Sequence, residues 1–186
     1  MRPSLIFAPL LLLKAQGIRV VFLDVDGVLT DGGLYFSELG ETLKRFDTQD
    51  GHGLKLLQSI GITAAVVSGR DSPALRLRLS ALGIEHVHGN ISDKCQAAQQ
   101  TLDTLHLDWT DAAAMGDDWP DLPLMGRCAL ACAPANAHLE VRSMAHYVTQ
   151  ARGGAGSVRE LCDLLLVASG HYARLLSDGT STAPLI

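Results

Sequence analysis

Ile18-Arg19-Val20-Val21-Phe22-Leu23-Asp24-Val25-Asp26-Gly27 runs from a stretch that is apolar but for Arg19 straight into two aspartates and a glycine. A continuous apolar run predicts a strand covered on both faces, as in a parallel sheet; a strand with one wet face would alternate. Asp24 and Asp26, two apart in extended chain, point the same way. Carboxylates held that close repel, and a bound cation is the usual remedy.

Further apolar, β-branched runs lie at 62–68, 85–88, 112–115, 128–132 and 146–149, with helical patterns at 51–60, 72–82, 93–106, 135–142 and 156–168. Ser72-Pro73 reads as a helix N-cap followed by proline at the first helical position. Strands alternating with helices at this spacing predict right-handed crossovers and an α/β fold: a Rossmann-like parallel sheet with helices on both faces. Residues 33–46 break the alternation and read as a β-hairpin flap turning at Glu38-Leu39-Gly40. The expected organisation is a helical extension over 1–17, one catalytic domain over 18–172, and a flexible tail over 173–186.

At 186 residues and 47% hydrophobic, the chain is long enough for one well-covered core without staples. Its net charge of −5 repels phosphate backbones, which argues against nucleic-acid partners. Cys95, Cys128, Cys132 and Cys162 form no C-x-x-C pair and sit in apolar stretches, as buried thiols of a reducing, cytoplasmic compartment do. The uncharged run over 3–13 is shorter than the roughly 20 residues a bilayer span needs, so no membrane association is expected. His52, His86 and His88 have no zinc-site spacing.

In parallel sheets, ligands bind beyond the carboxyl ends of the strands. There the second run ends in Ser68-Gly69-Arg70: a hydroxyl, a flexible residue and a guanidinium suited to an oxyanion. Lys94 follows Ser92 and Asp93, either of which can cap a helix. The fourth run ends in Gly116-Asp117-Asp118, with Asp121 close behind, again a donor set for a hard cation. Singly, each has an ordinary reading: an acidic turn, a surface loop, a solvated lysine. Together they fall on one sheet edge.

In these four motifs the sequence resembles the haloacid dehalogenase-like superfamily of phosphatases. The resemblance implies that Asp24 is the nucleophile, forming an aspartyl-phosphate, and that Asp26 is the general acid and base. Mg²⁺ would be held by Asp24, Asp117 and the backbone carbonyl of Asp26. Ser68, the Gly69 N–H and Lys94 would bind the phosphoryl group, with Asp118 and Asp121 orienting metal waters and Lys94. Dehalogenases lack the second aspartate, so Asp26 implies phosphate esters.

Residues 26–32, 47–53 and 153–160 are similar to the capless branch that acts on 3-deoxy-D-manno-octulosonate 8-phosphate in lipopolysaccharide precursor synthesis. This implies a homotetramer in which a neighbour's hairpin and C-terminal tail close each site. The phosphorylated sugar acid would be contacted by Asp47, Thr48, Gln49, Asp50, Gly51, Lys55, Arg70 and Arg78. Arg70 and Arg78, eight apart on a helix, fall within about 80° of each other and can face one ligand. Three positions depart from the branch: Ser68 for threonine, Asp47 for asparagine, which adds charge beside an anionic substrate, and Asn90 for glycine, where asparagine tolerates left-handed backbone. A phosphatase for a nonulosonate 9-phosphate, a receiver-like phospho-acceptor domain and a catalytically silent homologue remain open at this point.

Overall fold

Strand β1 (Val20–Leu23) lies inside a six-stranded sheet, with every one of its residues buried. The computed structural model describes residues 4–180. In chain order the elements are α1 (Pro9–Ala15), β1, β2 (Tyr35–Ser37), β3 (Gly40–Leu43), α2 (Thr48–Ser59), β4 (Thr63–Val67), α3 (Pro73–Leu82), β5 (His86–His88) and α4 (Lys94–Leu105). Then follow β6 (Ala112–Met115), α5 (Leu122–Met125), β7 (Leu130–Ala133), α6 (Leu139–Met144), β8 (Tyr147–Val148), α7 (Ser157–Ala168) and α8 (Tyr172–Thr180). The strand order is β5-β4-β1-β6-β7-β8, all parallel, with Leu23 opposite Val66 on one side and Met115 on the other. The catalytic-type loops after β1, β4 and β6 therefore emerge side by side.

The strand period of two splits the core into two layers. Val21 and Leu23 join Leu54 and Leu57 of α2, Leu75 and Leu79 of α3 and Leu161 and Leu165 of α7 on one face. Val20 and Phe22 join Ala98 and Leu102 of α4, Met125 of α5 and Val141 of α6 on the other. Truncating a fully buried leucine such as Leu54 or Leu161 to alanine costs about 2–5 kcal/mol.

Local signals place the helix ends. Ser72 caps α3, accepting from Leu75 N, and left-handed Gly83 ends it. Of the two expected caps of α4 it is Asp93 that serves, accepting from Gln96 N. Asn90 is left-handed, φ 56°. The hairpin β2–β3 is a separate antiparallel pair.

Three features differ from the sequence reading. Residues 173–180, expected as flexible tail, belong to helix α8, whose Tyr172 and Leu175 pack on the core; residues 181–186 lie outside the described part. Helix α6 starts four residues later than the pattern suggested, because Ala137 N closes a turn on Pro134 O before His138 caps the helix. Short α5, with Pro123 in its first turn, lies outside the helical patterns read from the sequence. The extension forms α1, with Phe7 edge-on to Tyr147 at 6.0 Å. All four cysteines are free, and among the described residues no helix is long and apolar enough to cross a membrane.

Candidate active site

Asp24 sits just beyond β1 in extended conformation, its N–H bonded to Met115 O at 3.1 Å. The chain then turns tightly: Thr30 N reaches back to Val25 O at 2.9 Å, and buried Thr30 Oγ1 donates to Val25 O while accepting from Gly27 N and Gly32 N. Gly27 takes φ +97°, and a side chain there would collide with the Asp117 carboxylate. Two glycines of the C-terminal run seal the turn. A Cβ on Gly153 would overlap Gly27 O, and Gly154 N donates to Val28 O at 3.0 Å. Only bare backbone fits this interface.

Lys94, at the first turn of α4 and 9% exposed, donates to Asp24 Oδ1 and Asp121 Oδ1, each at 2.6 Å. Asp121 Oδ2 accepts from Asp117 N at 3.0 Å and Asp118 N at 3.3 Å, so this carboxylate braces the loop after β6. Asp118 is exposed and caps Trp119 N. Ser68 is buried, its Oγ accepting from Arg70 N at 3.2 Å while its hydroxyl hydrogen stays available.

Asp24, Asp26, Ser68, Gly69, Arg70, Lys94, Asp117, Asp118 and Asp121 line one cleft of about 470 Å³, together with Ile91, Ser92 and Pro120. Carboxylate oxygens of Asp24, Asp117 and Asp121 converge to within 4.8 Å of one another. Burial, then the Asp121 charge, pushes Asp24 up to about 6 against the pull of Lys94. Burial, then Asp24, Asp121 and Asp118, pushes Asp117 up to about 7. Burial works against the Lys94 ammonium, but Asp24 and Asp121 outweigh it and its pKa is raised. One lysine against three acids is a donor set suited to a hard divalent cation. Because Asp121 is already spent on Lys94 and two backbone N–H groups, Asp24 and Asp117 are the carboxylates best placed to ligate. The Asp26 carboxylate is outside this trio; it accepts from Lys44 Nζ at 2.6 Å.

Of the residues expected to contact the sugar, Arg70 lines this cleft, and the others lie outside its lining in the single chain. Asp47 caps α2, accepting from Gln49 N and Asp50 N, so its charge is spent on the helix. Asp50 is 2% exposed, and its carboxylate accepts from Arg159 N at 2.8 Å and Gly156 N at 3.4 Å, supplying the cap that α7 lacks on its own. Thr48, Gln49 and Lys55 are exposed on α2, away from the cleft lining. Gly51 leaves room for Arg78, which donates to Asp47 O at 3.2 Å and lies over the Phe46 ring. Arg70 lines the cleft and Arg78 does not, and because Arg70 precedes α3 the helical angle does not apply to it.

Two flap residues went unnoticed in the sequence. Lys44 contacts Asp26 and Glu41, and Arg70 donates to Glu41 Oε2 at 2.7 Å. The hydrogen bond from Lys44, then Arg70, holds the Glu41 carboxyl below its ordinary range despite some burial. The sole clue was an acid and a base three apart in a hairpin that also carries Glu38 and Arg45.

The description of haloacid dehalogenase-like hydrolases matches residues 83–156. A curated 3-deoxy-D-manno-octulosonate 8-phosphate phosphatase of Yersinia pestis is 42% identical over 155 residues, 83% of each chain. A crystal structure of a probable yrbi family phosphatase from Pseudomonas syringae superposes with TM-score 0.91 at 42% identity, covering 93% of this chain and 98% of that one. The 3-deoxy-D-manno-octulosonate 8-phosphate phosphatase of Moraxella catarrhalis, solved in complex with magnesium ion, phosphate ion and KDO, superposes with TM-score 0.89 at 32% identity, covering 91% and 98%. These likenesses span nearly the whole chain and leave no room for a receiver-like domain. Sharing its fold with both structures and about two-fifths of its aligned residues with the Yersinia pestis and Pseudomonas syringae proteins, the chain belongs to the haloacid dehalogenase-like hydrolases, in the family of phosphoric monoester hydrolases formed by the 3-deoxy-D-manno-octulosonate 8-phosphate phosphatases.

Proposed function

We propose that the chain hydrolyses 3-deoxy-D-manno-octulosonate 8-phosphate to the free sugar acid and phosphate, with Mg²⁺, in the cytoplasmic synthesis of lipopolysaccharide precursors. The observation that carries the chemistry is Asp24, set at a strand end with Lys94 on its Oδ1 in a cleft lined by Ser68, Gly69 and Arg70. Asp24 and Asp117, with the backbone carbonyl of Asp26, would hold the cation, which supplies neutralising charge for an anionic phosphoryl group.

The side chains do the rest. A carboxylate oxygen of Asp24 attacks phosphorus as the ester P–O bond breaks, and protonated Asp26 gives its proton to the leaving sugar oxygen. Ionised Asp26 then takes a proton from water, the hydroxide attacks phosphorus, and the bond to Asp24 breaks to release phosphate. Lys94 fixes Asp24 and, with Ser68 and the Gly69 N–H, offsets charge developing on the phosphoryl oxygens. Arg70 at the rim is placed for an anionic substrate.

We also assign a homotetramer whose subunits complete one another's clefts, supported by the exposed flap residues Leu34, Tyr35, Phe36, Leu39 and Leu43. The test of function is phosphate release from the octulosonate 8-phosphate beside a sialic-type 9-phosphate, with Asp24→Asn as blank. Strong preference for the octulosonate, lost in the variant, is expected. Equal slow turnover of both would overturn the substrate assignment, and no turnover of either would overturn the enzyme.

A further inference from the structure

Asp26, Lys44, Glu41 and Arg70 close a ring of alternating charge that joins three segments of the chain. Lys44 Nζ lies 2.6 Å from Asp26 Oδ1 and 2.6 Å from Glu41 Oε1. Arg70 Nη2 lies 2.7 Å from Glu41 Oε2, and its Nε stands 3.6 Å from Asp26 Oδ2. The ring thus ties the loop after β1, the hairpin and the loop after β4. Lys44 is its most buried member, the side chain 2% exposed, and a lysine that deep is stable only while paired.

A lysine needed only to anchor the hairpin could pair with any surface acid. Lys44 instead holds a carboxylate that lines the catalytic cleft, and it holds one oxygen of the two. Asp26 Oδ2 is buried without a hydrogen-bond partner. A carboxylate pinned through one oxygen cannot rotate freely, so the other keeps a fixed direction for exchanging a proton. Glu41, from the same hairpin, holds the ammonium from its far side.

We propose that Lys44 is a positioning residue for Asp26, fixing the carboxylate that protonates the leaving group and making the proton-transfer geometry depend on the seating of the hairpin. This rests on the acid and base role assigned above to Asp26. Misplacing such a group slows the step that needs its proton without weakening substrate binding.

The test compares two leaving groups. A sugar alkoxide needs a proton to depart; p-nitrophenolate, a stable anion, does not. For Lys44→Met with Mg²⁺, kcat on the octulosonate 8-phosphate should fall about 10–100-fold with KM within about threefold of the parent. Rapid mixing with p-nitrophenyl phosphate should still give a stoichiometric burst of nitrophenolate, because phosphorylation of Asp24 proceeds without the acid. Lys44→Arg, still cationic, should recover most of the loss. Should Lys44→Met fail to fold, Lys44→Met with Glu41→Gln removes one stranded charge and carries the same comparison.

A rise in KM with kcat retained, or loss of the burst in step with sugar turnover, would overturn the proposal in favour of substrate contact or simple flap collapse. Asp26→Asn separates the levels. It should abolish sugar turnover and keep the burst. If it does not, the acid–base reading fails and takes this inference with it; if it does while Lys44→Met behaves as wild type, the inference alone fails.

Discussion

The ammonium of Lys94 lies 2.6 Å from Oδ1 of Asp24, bridging 70 positions of sequence between the first turn of α4 and the end of β1. Its second carboxylate, Asp121, is equally close, so among the described residues the lysine is the cation paired within this trio of acids. Lys94→Met should lower kcat by about 10²–10³-fold, the scale of removing a preorganised charge from a phosphoryl site. The same variant should be destabilised most without metal, because the acids then lack any counter-charge. Steady-state kinetics and melting curves with and without Mg²⁺ check both halves; an intact kcat would exclude Lys94 from the chemistry.

Asp24, Asp50 and Asp117 are all raised from an ordinary 3.8, to about 6, about 6 and about 7, with burial the largest cause in each. Carboxyls raised on folding favour the folded state below their unfolded pKa, and that contribution is lost as pH climbs through the folded value. Metal-free protein should therefore melt progressively lower between about pH 4 and pH 7 from these groups. A divalent cation requires ionised ligands, so Mg²⁺ should raise the melting temperature more at about pH 8 than at about pH 5.5. Differential scanning calorimetry across that range reads both trends. A Mg²⁺ shift independent of pH would remove Asp24 and Asp117 from the ligand set.

Gly27→Ala is expected to disable the site without substituting any of its side chains. The added methyl meets the Asp117 carboxylate at a residue with φ +97°, so both the turn and Asp117 must move. Left-handed strain of this kind costs about 1–3 kcal/mol. Mg²⁺ affinity measured by calorimetric titration should drop along with kcat. Unchanged affinity would mean that Asp117 lies elsewhere when metal is bound.

Asp50→Ala should damage stability rather than affinity. It strips the N-terminus of α7 of the carboxylate that accepts from Arg159 N and Gly156 N, at about 1–3 kcal/mol. KM for the sugar phosphate should stay within about threefold. A selective rise in KM would restore Asp50 to the substrate contacts.

The parallel core was legible because its strands carry their signature in residue type: β1, β6 and β7 are apolar at every position and buried at every position. The site was legible because sheet geometry collects strand ends, so Asp24, Ser68, Lys94 and Asp117 needed only their place after a strand. The intrachain partners of Asp47, Asp50 and Arg78 were not, since they depend on where a side chain turns after its element ends. Asp47 and Asp50 were taken up by helix termini, an option open to any aspartate at that spacing, and Arg78 by a carbonyl and an aromatic face. Lys44 was hidden for the opposite reason: nothing in a hairpin's alternation marks which charged residue folds inward beneath it. Helix α8 could have been read from Tyr172, Leu175 and Leu176, which recur at helical spacing in a stretch taken for a tail.

The backbone-on-backbone seal between Gly153-Gly154 and the turn at Gly27–Thr30 has a bearing on how the protein is made. The turn carrying Asp24 leaves the ribosome well before the glycines that close it. Until they arrive, Gly27 O and Val28 O face water rather than protein, and the aspartates on that turn have no fixed wall behind them. Completion of the site is thereby deferred until Gly153 and Gly154 have emerged, and a nascent chain stalled before residue 153 carries every motif residue of the cleft yet no finished site.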